Sequence, residues 1–448
     1  MGYAYATLGD LKTAAANRLD DPSKVFWVDD ELGPLITEAF RVWQAITGYW
    51  RGVGQFSPTA GVVSYDLSTQ VPALMARTVT DQEVLFDLEY ALLEPKGSPY
   101  AGSVQLTSTD LISAIERRRN QFLDQTGCIV TVNSPFVVQA GDGVVDLPMA
   151  LGHDQTIAIR RGQWITTSGK YSNVMWQTKP NANFFRNFQN VGLTPYGFDP
   201  LSALPQQVQL VPPPNVLGSL ELWTVNSGAA LTGLGVALGI PDNLSWAIKY
   251  GAMADILSRP GRAYEPALAA ACDEMFELAV RACASMPAVI SGQLDGRQVY
   301  PDSVYELDTA YVGWQGKKAG FPSSLATVGW NLVVLRPVPD ANPHSITLDL
   351  VRNAPIPTSD VLPIQLGREI LDAILDYVEF AAVAKLGFHE FSAAKQQCLQ
   401  RFFTTAAKYT ERIAGLPYGI PIITSGDRQE KVRPDRRRVR GTPGVGTR

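Results

Sequence analysis

Val208-Gln209-Leu210-Val211-Pro212-Pro213-Pro214 returns 125 residues later as Val333-Val334-Leu335-Arg336-Pro337-Val338-Pro339, an apolar strand-length run ending in prolines. The likeness extends outward. Ser219–Asn226 matches Ser345–Arg352 at an offset of 126, and Tyr250-Gly251-Ala252-Met253-Ala254 matches Tyr377-Val378-Glu379-Phe380-Ala381 at 127. Cys272 to Phe276 matches Cys398 to Phe402 at 126. The offset shifts by single residues in Pro- or Gly-bearing turns, where insertions cost least. What recurs is an apolar pattern, with no shared acid, base or metal-ligand set. Duplicated packing without duplicated chemistry predicts a structural protein and no enzyme.

The 448 residues allow two or three domains and a large core. Apolar residues make up 46% and charged residues only 18%, below the usual quarter, so part of the apolar surface is expected in subunit contacts. No stretch approaches the roughly 20 apolar residues of a membrane span. Met1-Gly2-Tyr3-Ala4-Tyr5 lacks the basic start and apolar run of a signal peptide, so none is expected. Cys128, Cys272, Cys283 and Cys398 are scattered, and Cys272 and Cys398 read as small buried hydrophobes on apolar helix faces. With three His and neither CxxC nor HxxxH spacing, no metal and no cofactor is expected. Net charge is −5, unevenly placed. From Gly426 to Arg448 eight basic residues stand against three acidic ones, leaving −10 on the first 425 residues. An acidic body carries a basic tail.

Periodicity predicts an α+β fold: an N-terminal helical bundle, then two tandem units, each an antiparallel β module followed by a helical hairpin. Thr7-x-x-Asp10 caps a helix through Leu11 and Leu19, and Asp29 or Asp30 caps a second with Leu32, Leu35, Ile36, Ala39, Phe40, Trp43 and Ile46 on one stripe. Thr80-x-x-Glu83 and Thr107-x-x-Asp110 open a third and a fourth, the fourth stopping at Gly127. Between the second and third, Val62 to Arg77 reads as short extended segments. From Cys128 to Asn226 the period is two, with runs such as Thr156–Ile159 and Gln163–Ile165 between turn residues. A first hairpin spans about Leu244–Leu257 and Pro266–Cys283. The second β module takes strands at Val304–Leu307, Trp330–Leu335 and Ser345–Val351, and its hairpin covers Leu366–Leu386 and Phe391–Ile413. The expected domains are 1–127, 128–302, 303–425 and a basic tail, 426–448.

Few motifs invite chemistry. Gly233-Leu234-Gly235-Val236-Ala237-Leu238-Gly239 has glycine gaps of two and four where a dinucleotide fingerprint needs two and three, so it reads as a connector. His389-Glu390 lacks the second histidine of a zincin. Asp255, Asp273, Glu274, Asp372 and Asp376 read as solvent faces of amphipathic helices. Arg117-Arg118-Arg119 reads as a helix's polar face. The candidate partner-docking element is the tail, with Arg428, Lys431, Arg433, Arg436, Arg437, Arg438 and Arg440, which suits an acidic groove on a protein or the phosphates of DNA.

The segment Leu8-Gly9-Asp10-Leu11 through Phe26-Trp27-Val28-Asp29-Asp30-Glu31-Leu32 to Ala39-Phe40 resembles the head-to-tail adaptor (connector) proteins of tailed bacteriophages. So does Ile240-Pro241-Asp242 followed by Ala247-Ile248-Lys249-Tyr250-Gly251-Ala252-Met253-Ala254 and Cys272-Asp273-Glu274-Met275-Phe276. Ala354-Pro355-Ile356-Pro357 before the last hairpin is also similar to phage virion sequence. These are packing motifs, spread from about residue 6 to 414. The resemblance implies a homo-oligomeric ring at the head–tail junction of the virion, assembled in the host bacterial cytoplasm, through which DNA passes. Its partners would be the portal protein and adjacent tail or neck proteins, with genomic DNA nearby but not read. Twelvefold closure is expected for a portal-bound adaptor, sixfold for a neck or nozzle ring lower in the tail. Two alternatives come from other classes: a receptor- or glycan-binding tail protein with Trp164, Trp176 and Trp223 as a stacking platform, and a virion-associated hydrolase.

Overall fold

The computed structural model describes residues 6–92, 107–152, 155–176, 195, 197–200, 206–260, 264–299, 301–311, 313–382 and 393–414. At 44% helix and 23% strand it is a mixed α+β protein, and its sheets are antiparallel apart from short parallel pairings.

Helix α1 (Leu8–Arg18) opens in a reciprocal capping box: Asp10 N donates to Thr7 Oγ1 at 3.1 Å, and Thr7 N to Asp10 Oδ2 at 2.9 Å. Helix α2 (Asp29–Thr47) is preceded by Val28 rather than capped by an aspartate. Asp29 and Asp30 lie inside its first turn, where their charge meets the positive end of the helix dipole. Strands β1 (Arg51–Phe56) and β2 (Ser64–Asp66) follow. Extended chain was expected up to Arg77, but Asp66 accepts from Ser68 N and starts two short helices, α3 (Leu67–Gln70) and α4 (Pro72–Met75). Helices α5 (Asp81–Ala91) and α6 (Ser108–Thr126) begin after Thr80 and Thr107, as the capping signals predict.

The first β region holds β3 (Thr131–Val132), β4 (Phe136–Val138), β5 (Val144–Asp146), helix α7 (Leu147–Leu151), β6 (Thr156–Thr166), β7 (Tyr171–Trp176), β8 (Gly197–Pro200), β9 (Gln207–Val211) and β10 (Gly218–Asn226). Two expected strands are one here, β6. Helices α8 (Ser245–Leu257) and α9 (Pro266–Ser285) form the first hairpin. Then come β11 (Val289–Leu294), β12 (Arg297–Val299), β13 (Asp302–Ser303), α10 (Val304–Ala310), β14 (Ser324–Val328), β15 (Leu332–Arg336) and β16 (Ile346–Val351). The expected strand at Val304–Leu307 is helical because Ser303 and Glu306 form a capping box. Helices α11 (Leu371–Ala382) and α12 (Ala393–Ala414) end the described chain.

An eight-stranded sheet runs β3-β10-β6-β7-β8-β9-β5, with β4 also paired to β10. A short turn joins β4 to β5 although they lie toward opposite ends of this path. The sheet therefore curls around a small core of its own that includes Val138, Val145, Trp164, Leu210 and Leu220. Two four-stranded sheets, β1-β16-β11-β12 and β13-β14-β15-β2, pack into the main core, which extends from Leu8 to Ala406.

Contacts recur between these regions. Strand β1 pairs with β16 as β4 pairs with β10, β2 with β15 as β5 with β9, and β11 with β16 as β6 with β10. Leu67 N donates to Asn331 O as Leu147 N does to Gln206 O. Leu335 N donates to Val63 O as Leu210 N does to Gly143 O, and Gly61 N to Pro339 O as Gly141 N does to Pro214 O. The Val211–Pro212 and Arg336–Pro337 bonds are both cis. Among the helices, α1 packs on α11 and α2 on α11 and α12, just as α5 packs on α8 and α6 on α8 and α9. Trp43 meets Phe402 with centroids 5.7 Å apart, and Phe122 meets Phe276 at 6.1 Å. The expected boundary at residue 127 thus separates helices from the hairpins that bury them. Apolar stripes are cut by sequence distance but joined by packing.

Candidate functional site: a buried polar seam between the hairpins

From Trp246 to Ala254 helix α8 carries a single charged residue, Lys249, and burying a lone ammonium requires a partner. Glu38 of α2 supplies it: Lys249 Nζ donates to Glu38 Oε2, and both side chains are 7% exposed. The other oxygen, Glu38 Oε1, accepts from Tyr377 Oη of α11 at 2.7 Å and from Tyr250 Oη of α8 at 3.3 Å. The two tyrosine hydroxyls lie 3.1 Å apart. Tyr250 and Tyr377 are the equivalent residues of the sequence repeat. The seam joins α2, α8 and α11 through one carboxylate.

Burial alone pushes the Lys249 ammonium down, but Glu38, with Tyr250 and Asp87 beside it, outweighs this and holds it well above the usual lysine value. Burial drives both tyrosine hydroxyls well above the ordinary phenol value. At neutral pH the lysine stays charged and the tyrosines protonated, and the seam is held by a buried ion pair. Asp87, on α5, is lifted by burial to about 7 against the opposing pull of Lys249. Beside the seam a cavity of about 420 Å³ opens between the hairpins, walled by Met253, Leu268, Met275, Leu399 and Phe403. Cys272 lines it, its thiol pushed up by burial to about 12 and so unreactive at neutral pH.

The residues singled out in the sequence take quite different places. The Gly233–Gly239 stretch is a loop whose amides converge on a carboxylate. Asp81, fully buried, accepts from Thr232 N at 2.8 Å, Gly233 N at 2.6 Å, Gly235 N at 2.9 Å and Val236 N at 2.8 Å. Gly233 and Gly235 sit at φ of +75° and +102°, which lets successive amides point inward. The nest that a phosphate would occupy in a nucleotide site is filled by the protein's own aspartate.

The arginine triplet is also consumed internally. Arg118 Nη2 donates to Asp255 Oδ1 at 2.7 Å and Nη1 to Asp273 Oδ1 at 2.9 Å, while Arg117 Nε reaches Asp255 at 2.9 Å. Arg119 is fully buried and donates to Ala229 O at 2.7 Å. Four of the expected solvent-face acids, Asp255, Asp273, Asp372 and Asp376, are therefore arginine partners, Asp372 receiving Arg18 at 2.6 Å. Asp255 and Asp273 serve α6, and Asp376 is buried and receives Arg18 at 2.8 Å and Arg401 at 3.1 Å. Asp376, Glu379 and Cys398 come within mutual reach of a metal ion, but the two guanidiniums already neutralise Asp376. Trp164 and Trp223 are 0% and 1% exposed, so they offer no sugar-stacking platform. All four cysteines are buried and free. The Trp176 side chain, His389, Glu390 and the tail residues Arg428, Lys431, Arg433, Arg436, Arg437, Arg438 and Arg440 lie outside the described residues. No described helix is long and apolar enough to cross a membrane.

A histidine unremarked in the sequence forms a clasp at the far edge of the second β region. His344 Nδ1 lies 2.8 Å from Asp295 Oδ2 and Nε2 2.9 Å from Asp340 Oδ1, tying the β11–β12 turn to the β15–β16 loop. Hydrogen bonding to Asp295, then to Asp340, raises the imidazole above its ordinary 6.5. A histidine whose folded value exceeds its unfolded one stabilises fully below the unfolded value, and that contribution is lost as pH rises through the folded one. Wild type is therefore expected to lose more thermal stability than His344→Gln between about pH 6 and pH 9. Parallel melting profiles of the two proteins would remove the clasp's role.

Neither a protein-family model nor a curated protein matches the chain.

Proposed function

We propose that this chain is a structural ring subunit of the phage head–tail junction, the class its packing motifs resemble, built from two copies of one unit. The copies are nested. An inner unit of α5–α9 with β3–β10 is inserted after α4 of an outer unit, which resumes at β11 and ends with α12. The recurring strand pairs, backbone bonds and aromatic contacts support this reading. It replaces a tandem arrangement with an insertion and assigns every N-terminal helix to a unit.

The observation that carries the ring is the position of α2. It packs on α11 and α12 of its own unit and also on α8 and α9 of the other. A one-way contact of this sort, repeated around an axis, closes a ring, whereas a reciprocal one stops at a dimer. Six chains would present twelve units, so sixfold closure suits even a twelvefold portal. An acidic body repels phosphate and lets DNA slide, and the basic tail, Arg428 to Arg440, is the segment we assign to docking on the portal.

Native mass measurement and a cryo-EM view of the particle test this reading. The expected result is a closed ring at the head–tail junction, with deletion of Gly426–Arg448 leaving the melting temperature unchanged and weakening incorporation. A monomer at micromolar concentration that binds neither portal nor particle would sink it.

A further inference from the structure

Helices α2 and α6 hold matching places but differ in what covers them. Aligned on Gly48 and Gly127, Leu32, Ile36 and Trp43 of α2 match Leu111, Ile115 and Phe122 of α6, and all six are buried. The adjoining face diverges. Glu38, Ala39, Val42, Ala45 and Thr47 are buried in α2, which the inner hairpin α8–α9 covers. Their counterparts Arg117, Arg118, Gln121, Asp124 and Thr126 remain partly or fully exposed on α6. The outer hairpin α11–α12 is packed by α1 and α2 of its own unit. So the contact made once inside the chain leaves the α6 face uncovered, and on the outer hairpin it leaves Asp372, Gln397 and Arg401 exposed.

The charges at these faces match with inverted sign. Inside the chain Glu38 of α2 meets Lys249 of α8. The position matching Glu38 is Arg117, and the position matching Lys249 is Asp376. The Arg117 side chain, though bonded to Asp255 of its own unit, is 52% exposed, and Asp372, one turn before Asp376 and bridged to it by Arg18, is 86% exposed. We propose that a second copy of this chain docks its α6 on the α11–α12 hairpin, repeating between chains the seat that α2 has on α8–α9. Arg117 of one copy then faces Asp372 of the next, the exposed member of the Asp372–Asp376 pair. This rests on the ring reading above and specifies its contact. An exposed pair of this kind sets register and partner choice more than bulk affinity.

The test uses full-length protein and concentration-dependent mass. Arg117→Glu alone and Asp372→Arg alone are each expected to raise the concentration needed for assembly about tenfold, the effect of roughly 1.4 kcal/mol. Mixing the two variants is expected to restore assembly. Each junction between the two reversed side chains then alternates with one between an unaltered Arg117 and an unaltered Asp372. Internal damage, such as loss of the Arg18–Asp372 bond, cannot be repaired by mixing. Melting temperatures of the variants separate misfolding from lost contact. Rings formed equally well by the single variants, or weakened assembly without recovery on mixing, would overturn the docking while leaving the ring intact. A wild-type chain that is monomeric and absent from particles would overturn both.

Discussion

Glu38→Leu is expected to destabilise the protein by about 3–5 kcal/mol, because it leaves the buried Lys249 ammonium without its counter-charge and two buried tyrosine hydroxyls without their acceptor. The cost comes from the orphaned charge more than from the pair itself. The double variant Glu38→Leu with Lys249→Met should therefore recover most of the loss, since a buried ion pair replaced by apolar side chains of similar size is often neutral. Tyr377→Phe, which removes one hydrogen bond, should cost only about 1 kcal/mol. Thermal and urea midpoints of the four proteins decide the matter. An unshifted midpoint for Glu38→Leu would show that the seam is hydrated and contributes little.

Asp81→Ala should cost about 3–4 kcal/mol and loosen the Thr232–Val236 loop, since four amides lose a charged acceptor that water only partly replaces. Burial pushes the Asp81 carboxyl up, but those amides outweigh it and hold it below the usual value. Its contribution is accordingly present above the unfolded-state value and lost as pH falls through the lower, folded one. Hydrogen exchange at Gly233, Gly235 and Val236 reports the loop directly. Unchanged protection in Asp81→Ala would mean that the loop holds its shape without the aspartate. Asp81→Asn should fall between the two, retaining one acceptor oxygen.

Much of the fold was legible because it depends on local signals. Thr7, Thr80 and Thr107 start α1, α5 and α6 where hydroxyl and carboxylate spacing says they should, and Gly48 and Gly127 end α2 and α6. The repeat at Val208 and Val333 marks two strands in matching places. Short segments were harder, because Val304–Leu307 is as apolar as a strand and only Ser303 and Glu306 tip it into a helix. The proposed nesting leaves no local signal. Its evidence lies in contacts between residues such as Leu67 and Asn331, which no periodicity connects. The polar seam did leave a trace: one lysine in the otherwise uncharged run from Trp246 to Ala254 implies a buried partner, though nothing in the chain identifies Glu38 as that partner. Asp81 stands in the first turn of α5, a common place for an acid, and its four amide contacts arise from a loop some 150 positions away.

The proposed insertion would also impose a timetable. The inner unit is continuous and can collapse as soon as Ser285 has left the ribosome, while α2 must wait until Leu371 exists before its own hairpin can cover it. At ordinary elongation rates that delay is on the order of tens of seconds. During it, the stripe carrying Phe40 and Trp43 stands uncovered on that side, a sticky nascent chain that favours chaperone capture or pairing with a neighbour on the same message. Slow, exposed synthesis would then be the cost of clamping α2 under α11 and α12, helices made long after it.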